Sequence, residues 1–475
     1  MNPGSRLAGL LTIPVVACVL FLVAEWRPVY FSNVTYLGGL LLLEIMIVAV
    51  WHYQRWFFPM LMVAFVWAGS ALPFSGAGAA VRWVFLIVGG LVGIVKWAEL
   101  ERRRHLGAIH LVAGLCVLSA AVSAMVSSRT ETSLLKCVSL FLLFLYGSCG
   151  GRAAVAGREA AFFRGLVTAC EFVSYLTAFL YMILRFEVFG NPNSLGAVMG
   201  VVIVPVLLWG VLIAEDRDVR IRRTVALGLA ALLLASSLSR AGILGCAVAL
   251  TIMCVVLRRH LLLLKGAFVL VFLVVALAVV QPAKFDALQS SFTQDVLYKG
   301  KPETGLLGSR QSPWQETTSV IKENPWFGSG FGTDRLLDQV GTDSVFRTLE
   351  GSNREHGNSY LALLQYVGVL GVFPFVILLI LVLQLIFRSC AQLRRTADAH
   401  HFAVPLVLVC MAGLIHAFFE DWLFAVGYYL CLFFWTSVFI LSDVQPQRAR
   451  GQLVLRNAWN KTQVSPSRLP LSANQ

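Results

Sequence analysis

Arg240, Arg310 and His356 are the residues whose types and settings could do chemistry in this chain. Arg240 stands in Ser237-Leu238-Ser239-Arg240-Ala241-Gly242, between two apolar runs, and Arg310 ends Gly308-Ser309-Arg310, before an amphipathic stretch. His356 lies in Arg354-Glu355-His356-Gly357-Asn358-Ser359, where a polar segment turns back into apolar sequence. An arginine near hydrocarbon costs about 2.5–3.5 kcal/mol on insertion scales, so a position such as Arg240 is read as functional by default. The competing reading of Arg240 is an interfacial side chain snorkelling to water. Two guanidinium forks match the oxygens of a diphosphate, and an imidazole at the same depth can act as base toward a hydroxyl. Arg354, Glu355 and Asn358 flank the histidine and join the candidate substrate-binding set. Glu420, followed by Asp421 and preceded by His416, joins it from the far end of a late apolar run. Arg185 and Asn193 join it from another loop, although Asn191-Pro192-Asn193 also reads as a turn with an asparagine cap.

Other motifs carry less. Gly328, Gly330 and Gly332 form a glycine run without the strand and βαβ unit that a dinucleotide loop needs. Asp216-Arg217-Asp218 has the DxD form of metal-dependent sugar transfer, but in a short basic loop it reads as a solvated charge run. The ten cysteines are scattered singly, with no CxxC, and read as small apolar contacts with neither a disulfide nor a metal centre. No internal repeat stands out.

The elements that must position these residues follow from composition. Of 475 residues, 58% are hydrophobic and only 13% are charged, against roughly a quarter charged in a soluble domain. Mean hydropathy is +0.77. A soluble fold of this size cannot hide so much apolar surface, which excludes a soluble enzyme, a nucleic-acid-binding domain and a secreted disulfide scaffold. The fold class is an all-α polytopic membrane protein with about 12–14 transmembrane helices, each near the length that crosses hydrocarbon. The spans run from Leu7–Ala24 and Leu37–Val50 through the pair Thr224–Leu238 and Ala241–Leu257, which reads as two short spans or one broken hairpin, to Ser359–Phe387, Phe402–Phe418 and Trp422–Leu441. Leu7–Ala24 is expected to be a retained span and not a signal peptide.

Net charge is +13. It segregates: Arg102–Arg104, Arg152, Arg158, Arg164, Arg217–Arg223, Arg258, Arg259 and Arg388–Arg395 fall in alternate loops, and the short loops between are nearly free of Lys and Arg. That is the positive-inside pattern, so both termini are expected in the cytoplasm, and the basic balance speaks to topology and not to nucleic acid. Residues 1–280 read as eleven spans, 281–358 as an outer polar domain, 359–441 as three more spans, and 442–475 as a disordered cytoplasmic tail.

The polar stretch from Gln281 to Asn358 holds eight basic residues against ten acids. Its middle, Ser312–Asn324, predicts an amphipathic helix carrying Trp314, Val320 and Ile321 and stopping at Asn324-Pro325. Pro325-Trp326-Phe327-Gly328-Ser329-Gly330-Phe331-Gly332 then predicts a tight turn, so this segment is expected to be partly folded. Embedded charges elsewhere are few: Glu44, Arg82, Lys136 and Glu171, with Glu44 and Glu171 unassigned.

The ordered pattern Ser239-Arg240, Arg310, Trp314, Ile321, Asn324-Pro325, Gly328, Gly330, His356, Asn358, Leu361 and Gly368-Val369-Leu370-Gly371 resembles the O-antigen ligase/O-antigen polymerase superfamily. The likeness covers the second half, from about Asn191 to Glu420. It implies a GT-C-type glycosyltransferase of the bacterial inner membrane that passes a glycan from undecaprenyl diphosphate to an acceptor hydroxyl at the periplasmic face. The acceptor is lipid A–core or a growing polysaccharide. The family's essential arginines map onto Arg240 and Arg310, and its histidine onto His356. Family members commonly place Asn directly after that His; here Gly357 intervenes, leaving open whether His356 or Glu355 presents the reactive atom. The implied reaction is an inverting displacement in which arginine charge stabilises the leaving diphosphate, with no divalent metal, nucleotide sugar or other cofactor.

Within that superfamily a ligase in lipopolysaccharide assembly is favoured slightly over an exopolysaccharide or O-antigen polymerase. A flippase or transporter of lipid-linked sugars is the reading from another class. Transporters often carry paired repeats and midplane charges, whereas here the polar content concentrates in one segment.

Overall fold

The structure, a computed structural model, describes residues 25, 48, 54–71, 75–100, 106–282, 308–333 and 356–445. Leu7–Ala24, nearly all of Leu37–Val50, Glu44, Arg354, Glu355 and the tail beyond residue 445 lie outside them.

The described residues are helical, with no strand among them. In chain order the helices are α1 (Gln54–Ala68), α2 (Ser75–Leu100), α3 (Ala108–Met125), α4 (Thr130–Val155), α5 (Glu159–Ile183), α6 (Pro192–Leu212), α7 (Arg217–Ser236), α8 (Arg240–Val256), α9 (His260–Val280), α10 (Gly308–Glu323), α11 (Ser359–Gly371), α12 (Phe373–Thr396), α13 (Ala403–His416) and α14 (Tyr429–Val444). Helices α4, α5 and α6 each contain a π-helical turn. Among the described residues, α3, α4, α5, α6 and α12 are long and apolar enough to cross a membrane, and α8, α11, α13 and α14 are shorter apolar helices. The protein is a polytopic helical membrane protein, because a chain in hydrocarbon must satisfy its backbone hydrogen bonds within each helix.

Local sequence sets the helix starts. Asn191 caps α6 by accepting from the backbone N–H of Asn193 (2.8 Å), with Pro192 just inside the helix where a missing N–H costs nothing. Asp216 caps α7 in the same way (3.1 Å), which accounts for the Asp-Arg-Asp motif as a helix start. Ser239 caps α8 from Gly242 N–H (3.3 Å). The turn between α7 and α8 is closed by Leu238 in a left-handed conformation (φ 51°), so the open choice at this hairpin resolves into two separate helices.

Close packing sets where α8 stands. A Cβ on Gly200 would lie 2.5 Å from the Gly242 carbonyl oxygen, and one on Gly242 would lie 2.5 Å from that of Gly196. Helices α6 and α8 therefore cross with backbones in contact, the use that small residues have in membrane interfaces. On its other side α8 packs on α13, which is buried all round, as a helix apolar on every face must be.

One expected span proved to be two elements. The stretch read as Ser359–Phe387 breaks at Gly368 (φ 68°, ψ −178°), ending α11 before α12 begins. The turn after α10 fills the break. Val369 N–H donates to Pro325 O (2.8 Å) and Leu370 N–H to Trp326 O (3.0 Å), while Gln365 O and Tyr366 O accept from the N–H groups of Ser329 (2.9 Å) and Gly330 (3.2 Å). Serines four residues apart, two on α3 and one just past its end, complete the pairing: Ser119 donates to Gly371 O (2.6 Å), Ser123 to Tyr366 O and Ser127 to Ser329 O (3.0 Å). Each backbone group left unpaired in a dry setting would cost on the order of several kcal/mol. The sequence concealed the break because Val367, Val369, Leu370 and Val372 are as apolar as a continuous span.

Antiparallel alternation brings the ends of α3, α5, α7 and α13 and the starts of α4, α6, α8 and α11 to one end of the bundle. The opposite end holds its own buried ion pairs. Arg152, read from sequence only as a loop charge, is 3% exposed and forks both nitrogens onto Asp443 (2.6 Å each), with His110 Nε2 at 3.0 Å. Glu171, unassigned from sequence, is clamped by Arg222 (2.7 Å) and Arg223 (3.0 Å).

Candidate functional site

The first end of the bundle gathers the candidate residues. Arg310, in the first turn of α10, is 7% exposed and its guanidinium pairs with the Glu420 carboxylate. His356, just before α11, is 1% exposed. Its Nδ1 lies 2.9 Å from Asp421 Oδ2, and the same oxygen accepts from the His356 backbone N–H at 3.1 Å. Two consecutive carboxylates in the α13–α14 loop thus hold the arginine and the histidine. Arg240, at the start of α8, is near enough for its charge and that of Arg310 to repel.

The α13–α14 loop is itself fixed from α11. Ser359 N–H donates to Ala417 O (2.9 Å), Ser359 Oγ donates to Glu420 O (2.7 Å) and accepts from Leu423 N–H (3.1 Å), and Tyr360 OH donates to Leu414 O (2.9 Å). From the other side Trp314 Nε1 on α10 donates to Gly357 O (3.1 Å). Gly357 has φ 64°, and a Cβ there would lie 3.1 Å from Arg310 Cδ and Nη1. The glycine that departs from the family pattern is therefore the residue that lets the Arg310 guanidinium lie against the backbone beside His356. With Asp421 accepting from Nδ1–H, the His356 tautomer leaves Nε2 as the basic nitrogen.

Beside this cluster lies a cavity of about 740 Å³. Asn193, His416, Glu420 and Asp421 line it, together with Arg82 from α2 and Lys136 from α4. Of the substrate-binding candidates, Glu420 and Asn193 are here. Asn358 instead caps α11, its Oδ1 accepting from Tyr360 N–H (2.8 Å) and Leu361 N–H (3.1 Å). Arg185 is exposed, closes α5 in a left-handed conformation (φ 57°) and does not line the cavity. Asp421 and Ser359 are the partners that sequence reasoning missed; the acidic pair was visible, but its link to residues far away in sequence was not. Arg82 and Lys136 were visible as embedded charges, the signal that membrane energetics attaches to function.

A buried ion-paired arginine and a carboxylate-held histidine thus lie together, beside a polar-lined cavity, at one end of the all-α bundle of a membrane protein. Residues 225–376 match the family model described as O-antigen ligase, and this stretch is a domain of the O-antigen ligase superfamily. Arg240, Arg310 and His356 all fall within the matched residues, whereas Arg82, Lys136, Glu420 and Asp421 fall outside them. At family level the domain is that of an O-antigen ligase-like membrane glycosyltransferase. No curated protein matches the chain.

Proposed function

We propose that this protein transfers a glycan from undecaprenyl diphosphate to an acceptor hydroxyl at the periplasmic face of the bacterial inner membrane, as an O-antigen ligase. The acceptor is lipid A–core. The observation that carries the reading is the adjacent pair Glu420–Asp421 holding Arg310 and His356 side by side, with Arg240 close to Arg310.

Repulsion between two guanidiniums is relieved by a ligand of high negative charge, and a diphosphate is such a ligand. A guanidinium carries five N–H donors, enough to hold Glu420 and a phosphate at once. In the reaction the acceptor oxygen forms a bond to the anomeric carbon while the bond from that carbon to the diphosphate breaks, inverting the centre. The acceptor proton passes to His356 Nε2, whose imidazolium Asp421 stabilises. The negative charge left on the carrier diphosphate rests against Arg240 and Arg310, so the displacement needs no metal or other cofactor.

The test is transfer by the purified protein in liposomes with lipid-linked glycan and acceptor. Arg240→Ala and Arg310→Ala are each expected to abolish transfer while the protein stays in the membrane, and near-normal product from either overturns the reading. A deletion strain separates ligase from polymerase: loss of a ligase leaves finished polymer on its carrier, loss of a polymerase leaves single repeat units.

A further inference from the structure

Trp326 and Phe327 lie in the turn that fills the α11–α12 break, yet their side chains are not spent on that docking. Trp326 is 62% exposed and Phe327 43%. Val369 and Leu370, whose N–H groups donate to Pro325 O and Trp326 O, are exposed as well. Two segments far apart in sequence thus set four large apolar side chains into one patch beside the polar end of the bundle. A contiguous apolar surface of this kind marks a place of interaction.

The helix that follows indicates what covers it. On α12 the buried residues fall on one face, and Phe373, Val376, Ile380, Leu383 and Phe387 form an exposed stripe on the other. On a helix that crosses a membrane such a stripe faces acyl chains. It stops at Arg388, the first of a basic group with Arg394 and Arg395 that suits the opposite membrane surface. At 1.5 Å per residue the stripe from Phe373 to Phe387 is about 21 Å long, whereas the hydrocarbon is about 30 Å thick. The missing length, about 9 Å, lies beyond Phe373 toward the site end of the bundle. Leu370 stands there, one turn before Phe373, with Trp326 bonded alongside it. The boundary between acyl chains and headgroups favours an amphipathic indole, with apolar neighbours such as Phe and Leu on its lipid side.

We propose that the Pro325–Thr333 turn is a lipid anchor, in which Trp326 and Phe327, seated beside Val369 and Leu370, complete the lipid-facing surface of α12 in the leaflet at the site end of the bundle. The occupant of the patch is bilayer lipid. A soluble partner there would leave the α12 stripe short of the hydrocarbon it has to cross, so continuity with that stripe selects lipid. The turn is also continuous with α10: Asn324 N–H donates to Val320 O (3.1 Å) and Gly328 N–H to Asn324 O (3.2 Å). The anchor therefore ties the helix that carries Arg310 to the membrane surface and fixes the depth at which Arg310 stands. It requires no particular reaction at the site.

The experiment measures nitroxide accessibility in the full-length protein reconstituted in liposomes. Single labels are placed through Trp326→Cys, Phe327→Cys and Leu370→Cys. Val376→Cys on the α12 stripe serves as the lipid reference and Gln315→Cys, exposed on α10, as the water reference. Wild-type protein labelled in parallel supplies the background of the native cysteines. Thermal melting in detergent checks that each variant folds, and with three positions in the patch the loss of one leaves the test intact. Oxygen partitions into hydrocarbon, whereas a nickel chelate stays in water. The ratio of oxygen to nickel accessibility at the patch is expected to rise well above that at Gln315 and to approach that at Val376. A ratio at Trp326 and Phe327 no higher than at Gln315 puts the turn in water and overturns the anchor. Low accessibility to both reagents shows the patch covered by protein, a second copy of the chain included, and overturns it equally.

Discussion

Asp421 accepts from His356 twice, from Nδ1 at 2.9 Å and from the backbone nitrogen at 3.1 Å, through a single carboxylate oxygen. The double contact fixes both the ring and the backbone from which it projects, so the imidazole has one orientation and one tautomer. In the proposed reaction, a general base held this way is prepared before substrate arrives.

Asp421→Asn replaces the carboxylate with an amide that cannot stabilise an imidazolium. Transfer is expected to fall about 100-fold or more, with the KM for the lipid-linked donor little changed. Steady-state kinetics in liposomes measure both, and a donor KM that rose with no loss of kcat would show His356 to be a binding residue instead.

Arg310→Ala removes a buried guanidinium from the Glu420 carboxylate, only 13% of whose side chain is exposed, and breaking a buried pair from one side costs about 3–5 kcal/mol. The double variant Arg310→Ala/Glu420→Ala is expected to recover most of the lost thermal stability in detergent while remaining inactive. Recovery of transfer along with stability would remove Arg310 from the chemistry.

Gly328 (φ 75°) and Gly368 (φ 68°) meet backbone with no room for a methyl group: a Cβ on either would lie 2.4 Å from a carbonyl oxygen, of Tyr366 and Trp326 respectively. Alanine at either position is expected to undock the Pro325–Thr333 turn, seen as faster proteolysis after Trp326, and to cost several kcal/mol by the order of magnitude of strained core substitutions.

Asp443→Ala leaves Arg152 buried and unpaired at the opposite end of the bundle, and a loss of about 3–5 kcal/mol is expected there too. Transfer per folded molecule should stay near wild type, since this pair shares no residue with the site. The comparison with Arg310→Ala separates destabilisation from chemistry.

Much of the fold was legible because lipid imposes a simple rule on sequence: apolar runs of sufficient length become helices, and charge placed among them is costly. The Asn191 cap was equally local, since its side chain and the N–H group it serves lie within two residues. The stop at Asn324-Pro325 and the folded turn after it followed from proline and glycine chemistry, and α10 starts only four residues before the expected Ser312.

What the tertiary structure decided is everything that joins distant segments through polar contacts. Nothing local marks Asp421 as the partner of His356, Glu171 as the partner of Arg222 and Arg223, or Gly368 as the point where a long apolar run breaks to receive Pro325 and Trp326. Hydropathy averages over a window and is blind to single hydrogen bonds between residues tens to hundreds of positions apart. Those bonds depend on which helix ends meet, and only the folded packing of the bundle fixes that.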